Sequence, residues 1–435
     1  MLNAHPHRGL TVSALGGPPR LLRTFADPED LPAYRESGGY GPIASGTAVL
    51  DEVRASGLRG RGGAAFPLAT KLATVAAAHA RGERTVVVAN GEEGEPVSIK
   101  DKWLLRHRPH LVLDGLRIAA TVAGADRAYL YLSDPRAASR VDAALTELDE
   151  HPREFGGPAI ELVTVDPAYV AGEETAAVRA INGGPALPSD KPPRPFEHGV
   201  HQRPTVVSNV ETLAQLAWIH RHGAHAFRTA GTEHSPGTFL ATVTGGDRPP
   251  ALYEVPHGYR FADLLTLHGI SHDTVRGALL GGYFTGLADR SIVSARLDPE
   301  SLRAQGFALG CGSLTLLTTE CPVAVAAAIL DYFRRENAGQ CGSCFNGTAA
   351  MAAVATALRD GLADTGDLAR LRRWSRVLRG RGACGTLDAA TNAAATLLDR
   401  FDTEVQAHLD NRCPDCAVHA YLADTPFAVE QELIS

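Results

Sequence analysis

Residues 85–96 read TVVVANGEEGEP: a short β-branched run that breaks into a loop carrying three carboxylates in four residues. An apolar run without alternation describes a strand buried on both faces, as happens when helices cover both sides of a parallel sheet. The flanks agree. Residues 67–80 carry helical spacing with Gly82 as a stop, and 109–122 repeat it with Leu113, Leu116 and Ala120 on one face. AYLYLS at 128–133 reads as a strand, 135–150 as a helix and 159–165 as another strand. Strand–helix–strand–helix–strand order requires right-handed crossovers and predicts an α/β fold with a mainly parallel sheet. Ligands of such sheets gather at the carboxyl ends of the strands, where 90–95 and 166–175 fall.

Outward from this unit the chain divides into five parts. Residues 1–30 are punctuated by Pro and Gly without a period and read as an extended arm; 31–237 hold the α/β unit. Within it, 185–204 is a Pro-rich loop of the long kind that is often functional, and 203–212 reads as a loop entering a helix, with Ser208 or Asn209 near its cap. Residues 238–319 open with a strand at 238–245 and continue as a small β-rich domain. Residues 320–410 read as four helices (322–337, 346–358, 368–379 and 388–409), leaving a Cys-containing tail at 411–435.

At 435 residues, with 44% apolar and 21% charged side chains, the composition is globular, and a net charge of −7 announces no nucleic-acid surface. No apolar run approaches the ~20 residues that span a bilayer. The N-terminus lacks the apolar stretch of a secretory signal, so a cytoplasmic location is expected. All seven cysteines (311, 321, 341, 344, 384, 413 and 416) lie in the last third. Two C-x-x-C pairs in such a chain point to metal or iron–sulfur ligation rather than disulfides.

The loop from Gly57 to Pro67, GLRGRGGAAFP, places two arginines among glycines before a helix. Its backbone N–H groups, the helix start and the charges of Arg59 and Arg61 suit a phosphate better than a free surface turn does. NGEEGEP at 90–96 and YVAGEET at 169–175 each put carboxylates beyond a strand end, read either as solvated turns or as acceptors for ligand hydroxyls.

Taken in order, GLRGRGGAAFP, NGEEGEP, YVAGEET, KPPRP, RPTVVSNVET, ENAGQCGSCFNGT and RGACGTLDAA resemble the flavin-carrying, NADH-oxidising subunit of respiratory complex I, also used by soluble NAD-linked hydrogenases and formate dehydrogenases. The resemblance runs from about 34 to 409. It implies FMN held by Gly60, Arg61, Gly62, Gly63, Lys71, Asn90, Glu92, Glu93, Tyr169, Gly172, Glu173, Glu174, Ser208 and Asn209, with Glu93 and Glu174 near the ring. Phe66, Glu95 and Lys191 would meet NADH, and no side chain would act as a nucleophile. Residues 238–319 would be a ubiquitin-like β-grasp of soluble ligand-binding type, and 320–410 a bundle carrying a [4Fe–4S] cluster. The implied function passes electrons from NADH through FMN to that centre and on to a thioredoxin-like [2Fe–2S] or ferredoxin partner. An FMN relay fed by ferredoxin and a non-catalytic scaffold with a degenerate flavin pocket are the alternatives.

Three departures stand out. Two positions that carry aromatic rings around the NADH adenine in the family are Thr74 and Arg194 here. The cluster motif lacks its first thiol, Ala338 standing before Cys341 and Cys344. With Cys384 that leaves three soft ligands where a cube takes four, and Asn337, water or a distant Cys are candidates for the fourth. The tail RCPDC with His419 resembles an extension of hydrogenase-type relatives; Cys413, Cys416 and His419 suggest a zinc site short of one ligand. Cys311 and Cys321 are assigned to the core.

Overall fold

The computed structural model describes residues 5–7, 9–23, 28–151, 156–418 and 421–429. A four-stranded parallel sheet is ordered Ile160–Thr164, Ala125–Leu132, Thr85–Asn90, Thr205–Asn209. Along the third strand Val87 and Ala89 face one core, where the helices Pro109–Ala123 and Val210–Arg228 bury their apolar stripes. Val86 and Val88 face a second core under the helix Glu174–Ile181. Both faces are thus covered, as the unbroken valine run requires. One expectation is corrected here: 205–209 is the fourth strand rather than loop, although Asn209 does cap the helix that follows, accepting from the Glu211 N–H.

A second, seven-stranded sheet is ordered His5–His7, Leu10–Ala14, Ala251–Pro256, Thr238–Gly245, Leu314–Leu317, Gly277–Leu280, Leu287–Asp289. Its two central strands, Thr238–Gly245 and Leu314–Leu317, run parallel with antiparallel neighbours, and the helix Phe261–Leu267 covers one side, a β-grasp arrangement. The expected extended arm is also corrected: Leu10–Ala14 joins this sheet parallel to Ala251–Pro256, with Leu10 and Val12 buried.

The C-terminal bundle contains Pro322–Glu336, Gly342–Arg359, Thr365–Val377, Thr386–Arg400 and Asp402–Leu409. The last predicted helix is therefore broken in two. Phe401 leaves helical geometry (φ −127°, ψ 41°) to bury its ring, ending one helix and starting the next. Among the described residues, no helix is long and apolar enough to cross a membrane.

Candidate functional site

The glycine–arginine loop is a closed hairpin. The Gly60 N–H donates to the Phe66 carbonyl at 2.8 Å, and Arg59 bridges Pro67 in antiparallel fashion. The Arg61 N–H is spent on Thr212 Oγ1 at 2.8 Å. For the N–H groups of Gly62 and Gly63, with Gly63 at φ 111°, no acceptor stands among the described residues. A Cβ on Gly62 would meet Asn209 Cβ at 3.3 Å, so the loop lies on the end of the fourth strand. There the register pairs Ala89 with Ser208 and Asn90 with Asn209, which sets the loop at the carboxyl edge of the sheet.

Arg61 departs from the phosphate-binding expectation. Its guanidinium is buried, Nη2 donating to the Thr238 carbonyl at 2.9 Å with Nε 3.8 Å from Glu211. Burial lowers its pKa, against the pull of Glu211. The charge expected at the loop surface instead ties the α/β unit to the first β-grasp strand. Arg59 is paired with Glu300 at 2.9 Å.

The acidic loop divides its carboxylates among three tasks. Glu92 is buried, and neither carboxylate oxygen makes a well-formed hydrogen bond among the described residues; burial raises its pKa, against the pull of Ser133, Lys102 and the Ala168 backbone. Asn90 Nδ2 donates to the Gly172 carbonyl at 2.8 Å, and a Cβ on Gly172 would meet the Glu92 carbonyl at 3.1 Å, so the two acidic segments lie backbone against backbone. Glu93 is committed elsewhere. It accepts from Ser98 Oγ at 2.5 Å and from the N–H groups of Asp101 and Lys102 at 3.3 and 3.0 Å, capping the helix Lys100–His107. Glu95 accepts from the Tyr283 N–H at 3.1 Å, and burial pushes its pKa up to about 8.

A charged cluster borders this edge. Glu173 caps its helix through Thr175 and Ala176 and pairs with Lys191 at 2.5 Å. Glu174 faces Lys191 at 3.5 Å, Lys71 at 3.7 Å and Arg194 at 4.0 Å. Lys71 also donates to the Val207 carbonyl at 2.8 Å, and burial lowers its pKa. Phe66 is 45% exposed beside the loop. Phe66, Glu95 and Lys191 share no hydrogen bond or ion pair among the described residues. Thr74 returns its hydroxyl to the Thr70 carbonyl.

Other participants have only a weak local signal. Lys100, fully buried, contacts Asp101 at 2.7 Å, Glu211 at 3.0 Å and Asn209 Oδ1 at 3.4 Å, while Asn209 Nδ2 donates to Asp101 at 2.7 Å. Burial pushes the Asp101 carboxyl up to about 7 against the pull of Lys100. From the β-grasp side, Gly281 (φ 63°) and Gly310 (φ 55°) touch backbone to backbone; a Cβ on Gly281 would lie 2.4 Å from Gly310 Cα. Cys311, expected in the core, is only half-buried and follows this contact, within reach of Gly63. Burial pushes its thiol up to about 11.

Tyr169 carries the edge toward the bundle: its ring meets Tyr332 at 5.8 Å and Phe333 at 5.3 Å, edge-on. In the bundle, Cys341 stands just before the helix Gly342–Arg359, Cys344 lies in its first turn, and the Ala383 N–H points at Cys341 Sγ at 3.5 Å. Cys341 and Cys384 lie near enough to Cys344 to act on its thiol, which burial pushes up to about 12. Asn337 is not placed as their fourth partner. Its Nδ2 donates to Arg334 and its Oδ1 accepts from the Gly339 N–H at 2.9 Å. Gln340 is engaged by Arg179 and Pro188. Cys321, also expected in the core, is buried but belongs with His408, Cys413 and Cys416; His419 lies outside the described residues.

Residues 53–218 match the family described as the Nuo51 FMN-binding domain, and residues 324–408 the NADH-ubiquinone oxidoreductase-F iron-sulfur binding region. The chain is 32% identical over 418 residues to the second F-type subunit of NADH-quinone oxidoreductase in Rhizobium meliloti (strain 1021), an alignment covering 91% of this chain and 99% of that one. It is 31% identical over 420 residues to the HndC subunit of the NADP-reducing hydrogenase of Solidesulfovibrio fructosivorans, covering 92% and 85%. Among solved structures, a chain of an NAD+-reducing [NiFe]-hydrogenase in the H2-reduced state is similar with a TM-score of 0.76 at 30% identity, covering 87% of this chain and 69% of that one.

Proposed function

Because the chain belongs to the NADH-quinone oxidoreductase-F family, we propose that it is an oxidoreductase using NADH, FMN and a [4Fe–4S] cluster to deliver electrons to a partner subunit. FMN, when bound, converts two-electron hydride chemistry into single-electron transfer. The observation that carries the reading is the set of unspent polar groups at one sheet edge: the N–H groups of Gly62 and Gly63, joined by the buried carboxyl of Glu92, which makes no well-formed hydrogen bond among the described residues. Adjacent N–H groups in a glycine turn suit an anion such as the flavin phosphate, and a buried carboxyl with weakly satisfied oxygens suits polar ligand atoms.

In this reading Gly60, Arg61, Gly62, Gly63, Lys71, Asn90, Glu92, Glu93, Tyr169, Gly172, Glu173, Glu174, Ser208 and Asn209 form the flavin site in two layers. Gly62, Gly63, Glu92, Gly172 and Ser208 present surface to it. Arg61, Glu93, Glu173 and Asn209, each engaged by hydrogen bonds or ion pairs to neighbouring groups, hold that surface rigid. Phe66, Glu95 and Lys191 would receive the dinucleotide. Cys341, Cys344 and Cys384 would hold the cluster, with Tyr169 packing the flavin edge against the bundle that carries it. Residues 31–237, 238–319 and 320–410 are the flavin, β-grasp and iron–sulfur units, and 411–435 the tail. The partner is a thioredoxin-like [2Fe–2S] or ferredoxin-type protein, and the location cytoplasmic.

The test is anaerobic reconstitution of the purified chain with FMN, then titration with NADH followed by absorbance. Stoichiometric flavin uptake with bleaching on NADH is expected. Uptake without bleaching would favour a ferredoxin-fed relay; no uptake would leave a non-catalytic scaffold and overturn the proposal.

A further inference from the structure

Cys321 stands at the N-terminus of the first bundle helix, Pro322–Glu336, and His408 near the end of the last, Asp402–Leu409. The fold brings these two ends together, and Cys413 and Cys416 close on them from the tail. Cys321 Sγ lies 3.2 Å from His408 Nε2 and 3.9 Å from Cys413 Sγ, and Cys416 Sγ lies 3.7 Å from the same Nε2. All four ligand atoms fall within 4.8 Å of one another. We propose that Cys321, His408, Cys413 and Cys416 form a structural zinc site, separate from Cys341, Cys344 and Cys384.

The spacing selects a single ion. With Zn–S near 2.3 Å, a tetrahedron has edges of about 3.8 Å, and the observed separations bracket that length. A cubane holds each thiolate on a different iron and spreads them farther apart. Three sulfurs and one imidazole are a closed tetrahedral set, with no position left for a substrate, so the ion would be structural. The outer contacts fit as well. His408 Nδ1 lies 3.0 Å from the Arg359 carbonyl. A carbonyl can only accept, so Nδ1 carries the proton and the Nε2 lone pair faces the three sulfurs, the arrangement that orients ligating histidines. Asp415, between the two tail cysteines, is fixed by Arg276 at 2.7 Å.

The site would anchor a strap. Beyond it, the Asp424 carbonyl accepts from Arg335 at 2.6 Å, the Pro426 carbonyl accepts from the Tyr283 hydroxyl, and the Val429 N–H donates to the Pro96 carbonyl at 3.0 Å. The tail therefore runs from the bundle to the end of the acidic loop Asn90–Pro96. An ion at its root would fix the segment packed against that loop, whether or not the loop binds flavin.

Elemental analysis of the full-length protein, purified without chelator, tests this. One zinc per chain is expected. Cys413→Ser/Cys416→Ser should lose the zinc and keep its iron, whereas Cys384→Ser should lose iron and keep zinc. Cobalt(II) exchanged into the wild type should give the intense thiolate-to-metal absorption of a tetrahedral site, absent from the double variant. Limited proteolysis should then cut the tail at least several-fold faster in the double variant. Wild-type protein without zinc, iron lost together with Cys413 and Cys416, or a Cys321–Cys413 disulfide in peptide mapping would each overturn the proposal.

Discussion

Replacing Arg61 by Ala separates two roles that its motif suggests equally. If the guanidinium met a flavin phosphate, the variant would lose flavin affinity and keep the stability of the flavin-free fold. The structure predicts the reverse order of effects. Arg61 gives a buried, charge-assisted hydrogen bond to the Thr238 carbonyl, an interaction of about 1.5–3 kcal/mol. It also faces Glu211 at 3.8 Å, worth about 4 kcal/mol of attraction at an effective dielectric of 20. The desolvation of two buried ions, several kcal/mol each, offsets that attraction. Glu211 is not stranded by the change, because Lys100 stands 3.0 Å away and the Leu240 N–H donates to it at 2.9 Å. The hydrogen bond is therefore the dominant loss, and a destabilisation of about 2–3 kcal/mol is expected. Urea unfolding of flavin-free protein, followed by tryptophan fluorescence, measures it. A change below about 0.5 kcal/mol, together with a tenfold or greater loss of FMN affinity, would refute the structural role and restore the phosphate contact.

Two further outcomes follow from the site. Glu95 has a folded pKa raised by burial to about 8, so its contribution is fully present below the unfolded carboxyl value and is lost as pH rises through about 8. Glu95→Gln should accordingly flatten the fall in thermal stability between pH 5 and pH 8 relative to wild type, and an unchanged slope would show that Glu95 ionises freely in the fold. At the cluster, Ala338 is half-buried in the loop three residues before Cys341, and the neighbouring Asn337 side chain is already engaged. Ala338→Cys should restore a four-thiolate set, raise iron and sulfide per chain and slow their loss in air; equal iron and equal lability in both proteins would count against a cluster at these thiols.

The fold was legible where local pattern and tertiary environment agree. The valines of 85–90 read as a doubly covered strand because they are one, and the helices of the α/β unit follow from their apolar spacing. It was illegible where the deciding partner is remote in sequence. Leu10–Ala14 resembles an arm until Ala251–Pro256 offers it an edge, and 205–209 resembles a loop, with Pro204 before it and a polar end, until it docks on Thr85–Asn90. Phe401 carries no helix-breaking chemistry; its burial decides the kink. The same division runs through the site. Glycine spacing announced the loop at 57–67, because backbone exposure is a local property. It could not say which way Arg61 turns, because Thr238 and Glu211 compete for the guanidinium from elsewhere in the chain.

The cysteines show the division most clearly. Cys341 and Cys344 declare themselves by C-x-x-C spacing, and so do Cys413 and Cys416. A pair is half a tetrahedral site, and the other half must come from whatever the fold delivers. The tail histidine within reach in sequence, His419, looked the natural third ligand, and Cys321 looked like an ordinary apolar residue before a helix. Antiparallel packing of the bundle reverses that judgement. It brings the start of the first helix beside the end of the last, so that residues 87 positions apart stand in contact. A thiol buried among alanines needs no explanation on its own. Beside an imidazole whose other nitrogen is pinned to a carbonyl, and two further thiols, it is better explained as a ligand.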